Sequence, residues 1–147
     1  MKSMYTLFFL ITFPVLATTP ILTKSIRYEL YFTDTCALYS NKVIIKKHNG
    51  HGGVTTKTLR TSYSRSELLE LIKIARNESQ HAIYTPCNVL DESEIDGFYN
   101  QNGRMKKVKL QSYECNITTS TKTGTLRIGT ASNKLINIVN KYCPEVH

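Results

Sequence analysis

Apolar and polar residues alternate without a break from Ile26 to Thr33. Ile26, Tyr28, Leu30 and Phe32 fall on one side and Arg27, Glu29, Tyr31 and Thr33 on the other. Successive side chains of an extended chain point to opposite faces, so this period of two predicts a strand with one buried face. Val43-Ile44-Ile45 and the threonine-rich run from Val54 to Thr61 predict two more strands. Between them, Asn49-Gly50-His51-Gly52-Gly53 supplies glycines free to take positive φ, and the pair reads as a hairpin.

The period changes after Tyr63. Leu68, Leu69, Ile72 and Ala75 recur at helical spacing behind Ser64-Arg65-Ser66-Glu67, the arrangement of a capping box, and a helix is expected from about Arg65 to Asn77. His81 to Thr85 reads as a short strand stopped by Pro86. Met105 to Glu114 reads as a strand with Val108 and Leu110 inward and Lys107, Lys109 and Gln111 in water, which would put Tyr113 outside as well. Thr125 to Gly129 is placed beside it. A last helix, with Ser132 as its N-cap, carries Leu135, Ile138, Val139 and Tyr142 on one stripe and stops at Pro144. Residues 91–103, rich in Asp, Glu, Asn and Gly, read as a mobile surface loop. The order of elements predicts an α+β domain: a small, mainly antiparallel sheet with two helices packed on one face.

Two features of the chain place this domain in a compartment. Met1-Lys2-Ser3 leads into an apolar stretch from Met4 to Leu16, and Val15-Leu16-Ala17 offers the small-x-small pattern of a signal peptidase site before the polar Thr18-Thr19. The stretch falls short of the roughly 20 apolar residues a membrane-spanning helix needs. It reads as a signal peptide cleaved after Ala17, leaving residues 18–147 as one exported domain, extracellular or periplasmic. Its four cysteines, Cys36, Cys87, Cys115 and Cys143, are dispersed and lack metal-ligand spacing. In an exported chain that pattern predicts two disulfides, with Cys36–Cys87 and Cys115–Cys143 the favoured pairing.

Charge then separates this chain from an ordinary small domain. Lys and Arg exceed Asp and Glu by eight. From Thr35 to Ser66 there is no carboxylate, while Lys42, Lys46, Lys47, Lys57, Arg60 and Arg65 lie on or beside the predicted hairpin. A second basic run, Arg104, Lys106, Lys107 and Lys109, follows an acidic cluster of Asp91, Glu92, Glu94 and Asp96. A face of uncompensated cations attracts polyanions through counterion release. Lys46, Lys47, Lys57, Arg60, Lys107 and Lys109 are therefore the candidate binding residues. Tyr31, Tyr39, Tyr63 and Tyr113 are candidate stacking partners for a single-stranded nucleic acid.

Catalytic and cofactor motifs give less. His48, His51 and His81, with a lysine, are the parts of an acid/base phosphodiesterase of the ribonuclease kind, but only if the imidazoles converge on one pocket. His48 and His51 alone make a poor metal site. With Gly97 as the sixth position of a calcium loop, Gly103 stands where a bidentate Glu is needed. No GxSxG is present, and no cofactor is expected. Asn77-Glu78-Ser79 and Asn116-Ile117-Thr118 are glycosylation sequons. The expected function is that of a small, basic, non-enzymatic secreted protein that binds an extracellular protein or polyanionic surface, with a secreted ribonuclease as the alternative.

Overall fold

A computed structural model of the chain describes residues 19–28, 32–49, 51–87 and 91–143. The signal-peptide residues, Tyr31, Pro144 and His147 lie outside them. Eight strands and two helices follow in the order β1 (Leu22–Tyr28), β2 (Phe32–Leu38), β3 (Lys42–His48), β4 (Val54–Arg60), α1 (Arg65–Ala75), β5 (Ser79–Pro86), β6 (Asp91–Gln101), β7 (Arg104–Asn116), β8 (Thr121–Ile128) and α2 (Thr130–Tyr142). The strands form one sheet in the order β4-β3-β2-β1-β6-β7-β8-β5, and its pairings are antiparallel. The β1–β4 meander thus meets the β6–β8 meander, which β5 flanks, at the β1–β6 seam, where Leu22 lies opposite Gly97 and Ile26 opposite Ser93.

Alternation explains the buried face. Leu22, Lys24 and Ile26 of β1, Asp34, Cys36 and Leu38 of β2, and Ser93, Ile95 and Gly97 of β6 all turn inward. In α1, Leu68, Ile72 and Ala75 form the buried stripe, and in α2 Ala131, Leu135, Ile138 and Val139 do. The two helices contact each other and enter one hydrophobic cluster with Leu22, Leu38, Val43, Ile95 and Leu110. Gly97 sits under α1: a Cβ there would lie 3.0 Å from Ile72 Cγ1, so the missing side chain sets how close helix and sheet come.

The predicted hairpin of β3 and β4, helix α1 and strands β5, β7 and β8 are all present, and the sheet is larger than the pattern predicts for two reasons. First, the alternating run at Ile26–Thr33 is not one strand. Tyr28 pairs with Phe32, so its two ends are the arms of the β1–β2 hairpin. Second, residues 91–101 are not a loop but β6, one of the two strands at the seam. Their acidic residues misled because strand propensity treats Asp and Glu as unfavourable, whereas these lie on a face where basic strand neighbours meet them.

A bulge gives a third correction. Between Ile95 and Asp96 the β6–β7 register shifts, so that Val108 and Leu110 face the core and then Tyr113, opposite Ser93, faces it too. Tyr113 is buried rather than exposed, with Lys122 Nζ 3.9 Å from its ring centre.

The start of α2 differs as well. Its N-cap is Gly129, which offers no side chain, and Ser132 lies inside the first turn. The free amides are met instead by Glu78, from the connection after α1: Oε1 accepts from Ala131 N (2.9 Å), and Oε2 from Ser132 N (2.8 Å) and Ser132 Oγ (2.5 Å). Burial pushes this carboxyl up, but the Ser132 and Ala131 hydrogen bonds and the Arg127 charge outweigh it and hold it below the usual range. Glu78→Gln should therefore cost about 1–2 kcal/mol at neutral pH. Because the folded-state pKa is depressed, this stabilisation exists above the unfolded value of about 4.3 and is lost as pH falls through the folded one. Urea titrations of both proteins should show the gap at pH 7 closing in strong acid.

The disulfides are Cys36–Cys143 and Cys87–Cys115, not the expected pairing. Cys36 lies on β2 and Cys87 follows β5, with β1, β6, β7 and β8 intervening in the sheet. Cys143, at the end of α2, is instead brought to β2, while Cys87 meets Cys115 at the end of β7.

Candidate functional site

The β3–β4 hairpin divides its cations between two surfaces, and the register shows how. Val43 is opposite Leu59, Ile45 opposite Lys57 and Lys47 opposite Thr55, which puts Lys47 and Lys57 on the same face as the core residues Val43 and Leu59. Lys42 pairs with Arg60, Ile44 with Thr58 and Lys46 with Thr56 on the reverse face. The four candidate residues of this hairpin are thus two pairs, Lys46 with Arg60 outside and Lys47 with Lys57 inside. None of Lys42, Lys46, Lys47, Lys57 and Arg60 has a carboxylate partner within ion-pair distance among the described residues.

On the inner side, Lys47 and Lys57 overhang a cleft of about 440 Å³. Ile26, Ile45, Leu59, Tyr142 and the Cys36–Cys143 bridge give it apolar walls, and Lys24, Lys141 and Asp34 complete it. Lys24 is only 4% exposed. Its ammonium donates to Asn140 Oδ1 (3.0 Å) and to the Cys143 carbonyl (3.2 Å), where a cation meets the negative end of α2. Asp34, 5% exposed, accepts at Oδ1 from Tyr28 Oη (2.9 Å) and His48 N (2.8 Å). Its Oδ2 is buried without a hydrogen-bond partner among the described residues.

Lys107 and Lys109 do not join this surface. They lie on β7, across the β1–β6 seam, and are neutralised there. Lys107 Nζ is 3.3 Å from Asp96 Oδ2 and 3.4 Å from Glu94 Oε1, and Lys109 Nζ is 2.7 Å from Glu94 Oε1. The acidic and basic runs, separate in sequence, face each other on adjacent strands. The Lys109 hydrogen bond, with the Lys107 charge, holds the Glu94 carboxyl below its usual range, while burial and the Glu94 charge push Asp96 up. Arg27 likewise pairs with Glu92, and Lys134 with Glu67. That last pair takes the Glu67 carboxylate away from the capping box, of which the Glu67 N to Ser64 Oγ bond (3.3 Å) is formed.

No protein-family model, curated protein or solved structure matches the chain. Function must be read from the arrangement itself, and the histidines come first. His48 closes β3, with Nδ1 3.9 Å from Asp34 Oδ1, and His51 is exposed in the adjoining turn. His81 is on β5, at the opposite edge of the sheet. Six inter-strand steps of about 4.8 Å separate β3 from β5, so His48 and His81 are not brought to one phosphate.

The remaining candidates scatter. Tyr63 packs edge-on against Tyr142, and burial with a hydrogen bond to Tyr142 pushes its hydroxyl up to about 12. Tyr39 lies under Lys42 Nζ, 5.4 Å from the ring centre. Asn77 and Asn116 are exposed, and Asn116 Oδ1 accepts from Thr118 N (2.9 Å). No group of three or more His, Cys, Asp or Glu able to hold a metal occurs among the described residues, and no helix there is long and apolar enough to cross a membrane. Sequence reasoning missed Lys24, Asp34 and Lys141. Lys24 and Asp34 had a signal, since each continues the inward phase of its strand, two residues from Ile26 and from Cys36.

Proposed function

We propose that the protein is exported and acts without catalysis, binding a polyanionic surface through the cations of the β3–β4 hairpin. The observation that carries this reading is the difference between the two basic runs. Lys107 and Lys109 are matched by Glu94 and Asp96, whereas Lys42, Lys46, Lys47, Lys57 and Arg60 have no carboxylate within ion-pair distance among the described residues. Unpaired cations at an edge of the sheet can neutralise charges on a sulfated glycan or another polyanion, and release of the polyanion's own condensed cations drives association. The hairpin side chains are also exposed at Lys46, Lys47, Lys57 and Arg60, so association demands no rearrangement of the core. Separation of His48 from His81 weighs against the ribonuclease alternative.

Heparin chromatography tests the reading. Retention should fall with added salt, and Lys46→Glu/Lys47→Glu should elute far earlier than the parent. Retention indifferent to salt, or to that double change, would contradict it. Export is tested separately by the intact mass of protein from its natural host. A chain starting at Thr18 without free thiols supports it, and a full-length chain with all four cysteines reduced opposes it.

A further inference from the structure

We propose that the cleft beneath the hairpin is a second site, sharing Lys47 and Lys57 with the polyanion-binding surface, which takes a small amphipathic organic anion bearing one neutral N–H or O–H donor. Three observations specify that chemistry. The walls are apolar, from Ile26, Ile45, Leu59 and Tyr142, and the 440 Å³ between them suits a compact hydrocarbon or aromatic body. Lys47, Lys57 and Lys141 line the same cleft, and the first two lack a carboxylate partner among the described residues, so an anionic group is favoured beside them. Asp34 lines it too, with Oδ2 buried and without a donor among the described residues.

A buried carboxylate oxygen without a donor forfeits the solvation it had in water, and a ligand donor restores it. That donor is neutral rather than an ammonium, because Lys24 lies in the same wall and four lysines already surround the space. The ligand therefore carries its apolar body between Ile45, Leu59 and Tyr142, its donor on Asp34, and its carboxylate, sulfonate or phosphate toward Lys47, Lys57 and Lys141. A monoacyl glycerophosphate and a purine nucleotide both have these three parts. Lys47 and Lys57 serve both sites, and Lys46 and Arg60, which face away from the cleft, tell the two apart.

A matched pair of dyes tests it with the disulfide-bonded protein. 2-Anilinonaphthalene-6-sulfonate has the apolar body, the N–H and, at the far end of the rings, the anion; N-phenyl-2-naphthylamine is the same body and N–H without the anion. The sulfonate should bind saturably at one site. Lys47→Gln/Lys57→Gln should weaken it about 10-fold and the neutral dye less than about 2-fold. Asp34→Asn turns an amide donor toward the ligand donor and should weaken both about 10-fold. Should Asp34→Asn fail to fold, Leu59→Trp, which fills the cleft from the edge of the sheet, should abolish binding of both dyes while the far-ultraviolet spectrum and the urea midpoint stay native. Lys46→Gln/Arg60→Gln should leave both affinities unchanged, which separates failure of this site from failure of polyanion binding. Displacement by lysophosphatidate would mark a lipid source, and displacement by guanosine monophosphate a nucleotide source. Sulfonate binding that ignores the Lys47/Lys57, Asp34 and Leu59 changes, or that neither compound displaces, would overturn the assignment.

Discussion

Replacing Cys36 and Cys143 together by alanine is expected to lower the stability of the domain by about 4–5 kcal/mol. The bridge joins positions 107 residues apart, from the second strand to the end of the last helix, and so restricts nearly the whole unfolded chain. Loop-closure entropy rises with the logarithm of loop length, which is why this bridge should outweigh Cys87–Cys115, with a separation of 28 and an expected contribution of about 3.5 kcal/mol. Both half-cystines of the long bridge are also buried, at 5% and 4% exposure, so their removal loosens packing against β2 and α2. Urea denaturation of the two double variants measures the difference. Equal losses, or a larger loss for the shorter loop, would contradict this account.

Gly124→Ala should cost about 3 kcal/mol or more. Gly124 lies on β8 opposite Tyr113, and a Cβ built there would stand 2.0 Å from the Ser112 carbonyl oxygen and 2.7 Å from Tyr113 Cα. Both are backbone atoms of β7, so no side-chain rotation relieves the overlap, and the strands must separate at the centre of their pairing. The loss would reach β5, whose strand pairing among the described residues is with β8. Thermal melts and amide exchange along β8 should report it. A variant as stable as the parent would mean that β7 and β8 are not paired in this register.

The two helices and the β3–β4 hairpin were legible because their signals are local: a cap, a helical stripe, a glycine turn. Strand β6 was not, for its acidic residues look solvated until Lys107 and Lys109 arrive from the next strand. The β1–β2 reversal hid inside an alternation that continues in phase across it, as Tyr28 and Phe32 show by pairing. A single bulge overturned the expected side for Tyr113, since a shift of one residue exchanges the faces of everything beyond it. Disulfide connectivity depends on the strand order, which joins β1 to β6, and no local pattern encodes that seam.

For the candidate site, the sequence located the basic hairpin but not its division into faces. Alternation along β3 already separates Lys46 from Lys47, yet which of them looks toward the helices depends on pairing with β2. Lys24 and Asp34 make the point more sharply. Each is a charged residue on an inward position, and only the arrival of α2 and the Tyr28 hydroxyl shows how they are accommodated.

Polyanion binding by the hairpin is tested most directly by the salt dependence of affinity for a heparin hexasaccharide, measured by calorimetry on three proteins. Lys46→Gln/Arg60→Gln and Lys107→Gln/Lys109→Gln remove the same net charge from different places. The account predicts a steep negative slope of log affinity against log salt for the parent, and a slope shallower by about 1–2 for the hairpin variant. The second variant, whose lysines are engaged by Glu94 and Asp96, should keep close to the parental slope. Equal slopes for the two variants would mean that net charge alone drives binding, and the hairpin would lose its claim to be a site.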